Sequence, residues 1–219
     1  MMDIVKEWQL FASQWRATSA WQWAAVVLGI SEVLLARANK ILLYPAGILA
    51  SAISMYLLAK AGLYGECLLN GYYVVMSIYG WWHWAKKKDK PPVKISYCTK
   101  KDWWIVAAIV GIGYGLLLFM LTHFTVLFPS FTPSTVPELD AVVTVTAWAG
   151  MWLLAQRKIE NWILLNISNA ISIPLLWHKS LPLFAALAVF LFIVAVQGYY
   201  SWKRKIKEED GASSVHPAA

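Results

Sequence analysis

Charged side chains are scarce in this sequence. Asp, Glu, Lys and Arg make up only 14% of its 219 residues, against about 25% in a soluble globular domain. Hydrophobic residues make up 59% of the chain, 14 residues are tryptophan, and the mean hydropathy is +0.54. This composition excludes a soluble single domain. It also excludes a disordered chain, because so much apolar surface has to be buried in lipid.

Motifs for catalysis and metal binding are also missing. The two cysteines, Cys67 and Cys98, have neither CxxC nor Cys/His spacing, so the sequence predicts no disulfide framework and no zinc site. The four histidines are dispersed and form no cluster with Ser, Asp or Glu. No P-loop for binding a nucleotide is found. The sequence therefore predicts that the protein is not an enzyme and uses no cofactor or metal.

Long uncharged stretches are abundant. A helix needs about 20 residues to cross a bilayer core of about 30 Å, and these stretches are near that length. Residues 129–137 are rich in proline and hydroxyl groups and are predicted to form a loop, whereas Glu32 interrupts the first stretch. We predict an all-α integral membrane protein. Its seven transmembrane helices are expected at residues 21–36, 41–59, 67–85, 103–124, 141–156, 161–178 and 180–202.

The two ends of the chain differ from these spans. Apolar residues of segment 1–20 share one face of a helix, which predicts an amphipathic helix that lies on the membrane surface. Segment 206–219 is polar, which predicts a disordered cytoplasmic tail.

Basic residues are concentrated on one side of the predicted spans. Fifteen Lys and Arg residues fall in alternate loops on that side, and four fall on the other side. Cytoplasmic loops carry the excess of Lys and Arg, so we expect the amino terminus outside and the carboxyl terminus in the cytoplasm. The net charge of +7 is then a topology signal that favours contact with the lipid bilayer, and we expect no nucleic-acid partner.

The sequence resembles itself at an offset of 118 residues. Residues 24–84 align with residues 142–202 without a gap. Three spans reverse the side of the membrane and a fourth restores it, so the two copies are predicted to be parallel, in a 3+1+3 plan with a site near their pseudo-twofold axis. The predicted units are a first three-helix repeat at 21–86, a basic cytoplasmic loop, linker transmembrane helix and outer loop at 87–137, and a second three-helix repeat at 138–205.

Polar and aromatic side chains recur at helical spacing inside the third and sixth predicted spans. They either line a substrate path or form hydrogen bonds between helices. The two stripes are Glu66, Asn70, Tyr73 and Ser77 in the third span, and Trp162, Asn166 and Asn169 in the sixth. Under the repeat, Tyr44 and Ser51 of the second span correspond to Trp162 and Asn169.

Four further interior residues allow two interpretations each. Trp148 and Trp152 lie one turn apart in the fifth span, where they either contact ligand or pack between helices. Glu32 and Gln197 lie nearer the cytoplasmic ends of their helices, where a structural role is an alternative to ligand contact.

Two segments resemble a known family. YGWWHWAKKK at the end of the first repeat and LAQRKIENWILLNISNAIS across the fifth and sixth spans are similar to the PnuC vitamin-precursor transporters, whose fold is similar to that of the SWEET sugar facilitators. The resemblance implies uptake of nicotinamide riboside, a precursor of NAD, by facilitated diffusion across the bacterial inner membrane. It also implies a homotrimer, and a cytoplasmic kinase that traps the substrate by phosphorylation. Thiamine and riboflavin stay alternatives, because the family often has a second tryptophan where this sequence has Leu165.

The chemistry of nicotinamide riboside agrees with the polar stripes. An aromatic face suits its flat cationic ring, and amides or hydroxyls suit its ribose. We expect Trp162 and Tyr73 near the ring. Asn166, Asn169 and Asn70 are expected at polar groups of the substrate, with Ser51 in support from the other repeat, Gln197 near the cytoplasmic exit, Glu66 near the outer mouth, and Trp148 or Trp152 as a second aromatic wall.

A ligand-sensing membrane receptor is the alternative from another class. Such a receptor would bind the same ligand without moving it across the membrane. Coupling of transport to an ion through Glu32 or Glu66 also stays open.

Overall fold

The computed structural model describes residues 4–60, 64–85, 93–127 and 136–215. Within these ranges the fold is all-helical, as predicted, and its one β-type pairing is an isolated bridge between Ser96 and Lys158. The eight helices are α1 (Ile4–Ala17), α2 (Ala20–Arg37), α3 (Leu43–Lys60), α4 (Tyr64–Trp84), α5 (Lys100–Leu127), α6 (Pro137–Ala155), α7 (Asn161–His178) and α8 (Pro182–Val215).

Local sequence signals explain where these helices begin. Ser19 caps α2 in a capping box with Gln22, with backbone-to-side-chain hydrogen bonds of 2.7 and 3.3 Å between them. α6 begins at Pro137, whose fixed φ and missing N–H suit the first turn of a helix. The chain bends by 104° between α1 and α2. α1 therefore lies across the end of the bundle at which α2 begins.

Four helices are long and apolar enough to cross a membrane, at Leu43–Lys60, Lys100–His123, Pro137–Ala155 and Pro182–Glu209. The bent pair formed by α1 and α2 raises this number to five if it counts as one span. In the described residues, α4 and α7 do not meet the same criteria. These two helices carry the polar stripes, which lower their hydropathy. The structure thus supports four clear spans, whereas the seven-span count stays a prediction.

The helices pack in two groups of three. α3 has extensive contacts with α2 and with α4, and α7 has extensive contacts with α6 and with α8. The groups meet where α2 packs against α8 and α4 against α6, and α5 packs along α6. This arrangement leaves a space between the groups, lined by helices of both.

The turns between α2 and α3 and between α6 and α7 have the same geometry. Asn39 and Arg157, which are 118 residues apart, have positive φ angles of 59° and 55°. In each turn the next residue donates its backbone N–H to the carbonyl five residues earlier, at 2.9 Å. The internal offset found in the sequence therefore coincides with a matching backbone conformation.

Four aromatic rings form a cluster where the two groups meet. We call Tyr44, Trp84, Trp162 and Trp202 the aromatic floor. The ring centroids of Tyr44 and Trp84 lie 5.2 Å apart at 90°, and those of Trp162 and Trp202 lie 5.7 Å apart at 89°. All four residues are buried. Edge-to-face contact of this kind stabilises aromatic pairs beyond the area that they bury.

Residues 93–99 pack on the turn between α6 and α7. Ser96 donates its N–H to the carbonyl of Arg157 at 3.1 Å, and both carboxylate oxygens of Glu160 accept from the backbone N–H of Cys98 at 2.9 Å. Burial, followed by the nearby Glu160 carboxylate, raises the pKa of the Cys98 thiol far above its ordinary value. The Arg157 guanidinium lies 4.1 Å from the Trp84 ring centroid, and burial lowers its pKa.

The predicted disorder of segment 206–219 is wrong over residues 206–215, which continue α8 as a helix. Ile206 is buried against the core cluster that contains the aromatic floor, and Lys205 donates to the carbonyl of Ala38 at 2.9 Å. These two contacts hold the start of a helical segment that the polar composition does not predict. Residues 216–219 lie outside the described part of the chain.

Candidate functional site

A wide cavity of about 730 Å³ opens at the end of the bundle where α1 lies. We call it the vestibule. Its wall is formed by α1, α2, α3, α4 and α8, and it includes Trp15, a residue that is 52% exposed. Gln14 holds α1 at this mouth, because its side chain donates to the carbonyl of Ser180 at 2.8 Å and accepts from the N–H of Leu183 at 3.4 Å.

A second cavity of about 380 Å³, which we call the central cavity, lies between the two helix groups. Its lining comes from α2, α3, α4, α6, α7 and α8. It adjoins the vestibule, since Ala25, Val26, Ile30, Ser54 and Leu187 line both. The two cavities are therefore neighbours that are bounded by the same five side chains.

The central cavity ends at the aromatic floor. Ala36, Leu154 and Trp162 line the cavity and also belong to the buried cluster that contains the floor. Trp84 and Trp202 close the cluster, with ring centroids 6.2 Å apart. The protein is thus open at the vestibule and closed at the floor.

The polar stripe of α4 borders both cavities. Asn70 lines the vestibule, and Tyr73 lines the central cavity. Ser77 is fully buried further along the helix. The side chain of Glu66 lies outside the described residues, so its expected place at the mouth stays a prediction.

The stripe of α7 is divided between two surfaces. Trp162 and Leu165 line the central cavity. Trp162 also lines a separate groove of about 440 Å³ between α7 and α8, and Asn166 lies in that groove rather than in the central cavity. Asn169 is half-buried and lines neither, although helical spacing places it on the same face as Leu165. Ser51 of α3 lines the central cavity opposite these residues.

The two tryptophans of α6 pack between helices. Trp148 stacks on Tyr72 of α4 with ring centroids 4.7 Å apart, and Tyr72 donates its hydroxyl to the Trp148 carbonyl at 3.0 Å. Trp152 packs against a cluster formed with α5. Neither lines the central cavity or the vestibule. These contacts favour packing, one of the two alternatives that the sequence left open, and ligand contact by either tryptophan stays a prediction.

Gln197 is exposed and joins two helices. Its side-chain oxygen accepts a hydrogen bond from the Arg37 guanidinium, which connects α8 to α2. This contact favours the structural interpretation of Gln197 over a place on the path.

Among the described residues that line the central cavity, Glu32 is the charged one, and the sequence had left ligand contact and a structural role open for it without placing it in the list of expected substrate contacts. Its carboxylate lies against Gly47 of α3, where a Cβ atom would come within 2.6 Å of the Glu32 Cδ. The sequence signal that pointed to Glu32 was its place as a lone acid in an otherwise uncharged span. Its position relative to α3 and α4 could not be derived from spacing along α2.

A helical bundle that encloses an aromatic and polar cavity between two similar groups, open at one end and closed at the other, has the architecture of a small-molecule membrane transporter. The chain belongs to the nicotinamide mononucleotide transporter family, whose model matches residues 19–204. This family consists of multi-pass membrane transporters of bacteria, so the expected transporter, rather than an enzyme, is confirmed together with the family resemblance.

Two relatives and one solved structure are similar to the chain. The nicotinamide riboside transporter PnuC of Escherichia coli is 22% identical over 209 residues, which cover 87% of each protein. The protein of the same name from Neisseria mucosa is 28% identical over 201 residues, covering 85% of this chain and 73% of the relative. A crystal structure of the vitamin B3 transporter PnuC matches with a TM-score of 0.67 and 24% identity, over 94% of this chain and 92% of that chain. The structural likeness shows a common fold.

Proposed function

We propose that this protein takes up nicotinamide riboside across the bacterial inner membrane. The names of the two relatives support this substrate, and the family description adds nicotinamide mononucleotide, which carries a phosphate, as a competitor. The residues that line the two cavities distinguish the riboside from the mononucleotide by charge. Among the described residues, none that lines the vestibule or the central cavity is Lys or Arg, and Glu32 is the only charged one. This observation carries the proposal.

A phosphate needs cationic or N–H donors to replace its hydration, and a carboxylate repels it. The central cavity instead contains the Glu32 carboxylate, whose negative charge does not suit a phosphate. The riboside has no phosphate and carries one positive charge on its ring, so it suits a cavity with a single acid. We therefore expect the riboside to bind at least about tenfold more tightly than the mononucleotide, a difference of about 1.4 kcal/mol.

Aromatic and hydroxyl groups of the cavity suit the rest of the riboside. Trp162 is only 1% exposed, and its indole Nε1 finds no hydrogen-bond partner among the described residues. A buried donor without a partner is costly, and this cost favours donation of the N–H to a ligand oxygen when the substrate binds. The Trp162 ring offers a face to a cationic ring, whereas Tyr73 and Ser51 offer hydroxyls to the ribose.

The mechanism that we propose is facilitated diffusion by rocking of the two helix groups around the central cavity. The matching turns at Asn39 and Arg157 and the packing of helices in two groups of three support the 3+1+3 plan of two parallel repeats joined by α5. The distribution of basic residues supports an extracytoplasmic vestibule and a cytoplasmic floor. A cytoplasmic kinase would trap the imported riboside by phosphorylation.

A homotrimer completes the proposal, with one path in each protomer. It rests on the family resemblance, and each chain encloses its own cavity between its own helices. Native mass spectrometry of the protein in detergent should give three times the chain mass of 24.7 kDa. A monomeric mass in mild detergent would contradict this assignment.

Flux into proteoliposomes tests the function. Purified protein should move nicotinamide riboside down its gradient, at an initial rate that does not change when sodium and proton gradients are absent. Calorimetry in one buffer with the riboside, the mononucleotide, thiamine and riboflavin ranks the ligands. Preference for thiamine would make thiamine the assigned substrate in place of the riboside. Binding without flux would favour a ligand-sensing receptor.

A further inference from the structure

The Glu32 carboxylate is held at the wall of the central cavity by its contact with α3. Gly47 provides the space, because a Cβ atom there would come within 2.9 Å of the Glu32 Oε2. Ser51, one turn further along α3, lines the same cavity, as do Tyr73 and Trp162. The acid thus lines the same cavity as the rings of Tyr73 and Trp162.

Glu32 has no hydrogen-bond or ion-pair partner among the described residues, whereas three acids outside the central cavity do have one. Asp140 is within 2.6 Å of Lys179, Asp102 is 3.3 Å from Lys158, and Glu160 accepts from the backbone of Cys98. In the described part of the chain, neither a hydrogen-bond donor nor a cationic side chain reaches the Glu32 carboxylate. An interior acid without a cation is expensive in a membrane, and this cost favours a role in binding a positively charged ligand.

The second helix group has no counterpart of this acid. At an offset of 118 residues, Glu32 corresponds to Gly150 and Gly47 corresponds to Leu165. Gly150 in turn makes space for the Leu165 side chain, which would lie 2.8 Å from a Cβ atom there. One wall of the central cavity therefore carries a carboxylate, and the equivalent position on the other wall carries an apolar side chain.

We propose that Glu32 is the specificity-determining residue of the central cavity, and that it selects a flat ring with a positive charge over a neutral ring of the same shape. This inference rests on the proposed function, since it assigns recognition of the charged ring of the riboside to one side chain. Trp162 supplies the flat face, and Glu32 supplies the opposite charge.

A pair of ligands that differ in ring charge tests this inference. Nicotinamide riboside has a cationic ring, and its dihydro form has the same ribose on a neutral ring. By calorimetry, the protein should bind the cationic form at least about tenfold more tightly. In Glu32→Gln this preference should fall to within about threefold, through weaker binding of the cationic form and with little change for the neutral form. Glu208→Gln removes an exposed acid of α8 and should keep the preference.

Thermal unfolding and gel filtration check that Glu32→Gln folds. If that variant does not fold, Gly47→Ala provides the same test, because its added Cβ atom displaces the carboxylate while the charge is kept; the preference should fall there too. A folded variant that keeps the full preference overturns this inference alone. Failure of the unmodified protein to bind either form overturns the proposed function and this inference together.

Discussion

Trp84 and Trp202 lie 118 residues apart in the sequence, and their ring centroids lie 6.2 Å apart in the aromatic floor. Each donates its indole N–H to a carbonyl of the opposite helix group. Trp84 donates to Ala155 at 3.0 Å, and Trp202 donates to Ala36 at 2.9 Å. The two hydrogen bonds therefore join the helix groups at the point where the path is closed.

We predict that these two hydrogen bonds stabilise the closed floor. Trp84→Phe and Trp202→Phe should each lose about 1 kcal/mol of stability, because each removes a donor and leaves a buried carbonyl. Thermal unfolding in detergent should show a lower midpoint for each variant. The double variant should lose less than the two single losses combined, since the rings are in contact. Fully additive losses would contradict coupling across the floor.

Trp162 is predicted to bind the substrate through its indole N–H as well as its ring. Trp162→Phe keeps an aromatic face and should weaken binding of nicotinamide riboside about fivefold, the loss expected for one hydrogen bond. Trp148→Phe is a matched control, because the Trp148 Nε1 is also buried without a partner but Trp148 lies away from the central cavity. Calorimetry checks both variants. Equal losses in the two would remove Trp162 from the site.

The Trp162 ring is held in place by a glycine of α8. A Cβ atom at Gly198 would come within 2.6 Å of the Trp162 Cε2. Gly198→Ala should therefore displace the ring and weaken riboside binding at least about tenfold. At Gly111 of α5 a Cβ atom meets nothing within 4 Å, so Gly111→Ala should leave binding unchanged. Unchanged affinity in Gly198→Ala would show that the position of this ring does not limit binding.

Cys98 reports on the contact between residues 93–99 and the turn before α7. Its raised pKa keeps the thiol protonated near neutral pH, where the thiolate is the reactive form, so alkylation by N-ethylmaleimide should be slow. Glu160→Gln removes the nearby negative charge that helps to raise this pKa, and alkylation at constant pH should become several times faster. Mass spectrometry of a Cys67→Ala background measures the rate. An unchanged rate would show that Glu160 does not raise this pKa and would leave burial as its main cause.

The lengths of the uncharged stretches predicted the positions of the helices well. The sixth predicted span, 161–178, coincides with α7, and the polar stripes on α4 and α7 were visible from spacing alone. Periodicity identifies a shared face, but it does not say what that face contacts. Asn166 accordingly lies in a groove between α7 and α8, and Trp148 packs on Tyr72.

The sequence by itself determined the all-helical membrane class and the internal offset of 118 residues, because hydropathy, helical period and self-similarity are properties of the chain order. The family followed from the resemblance of two sequence segments. Tertiary structure decided which side chains meet. Glu32 reaches the central cavity because Gly47 on another helix leaves space for it, and Ile206, at the start of the helical segment 206–215, is buried beside the aromatic floor. Both outcomes depend on contacts between distant segments, and local propensity does not contain that information.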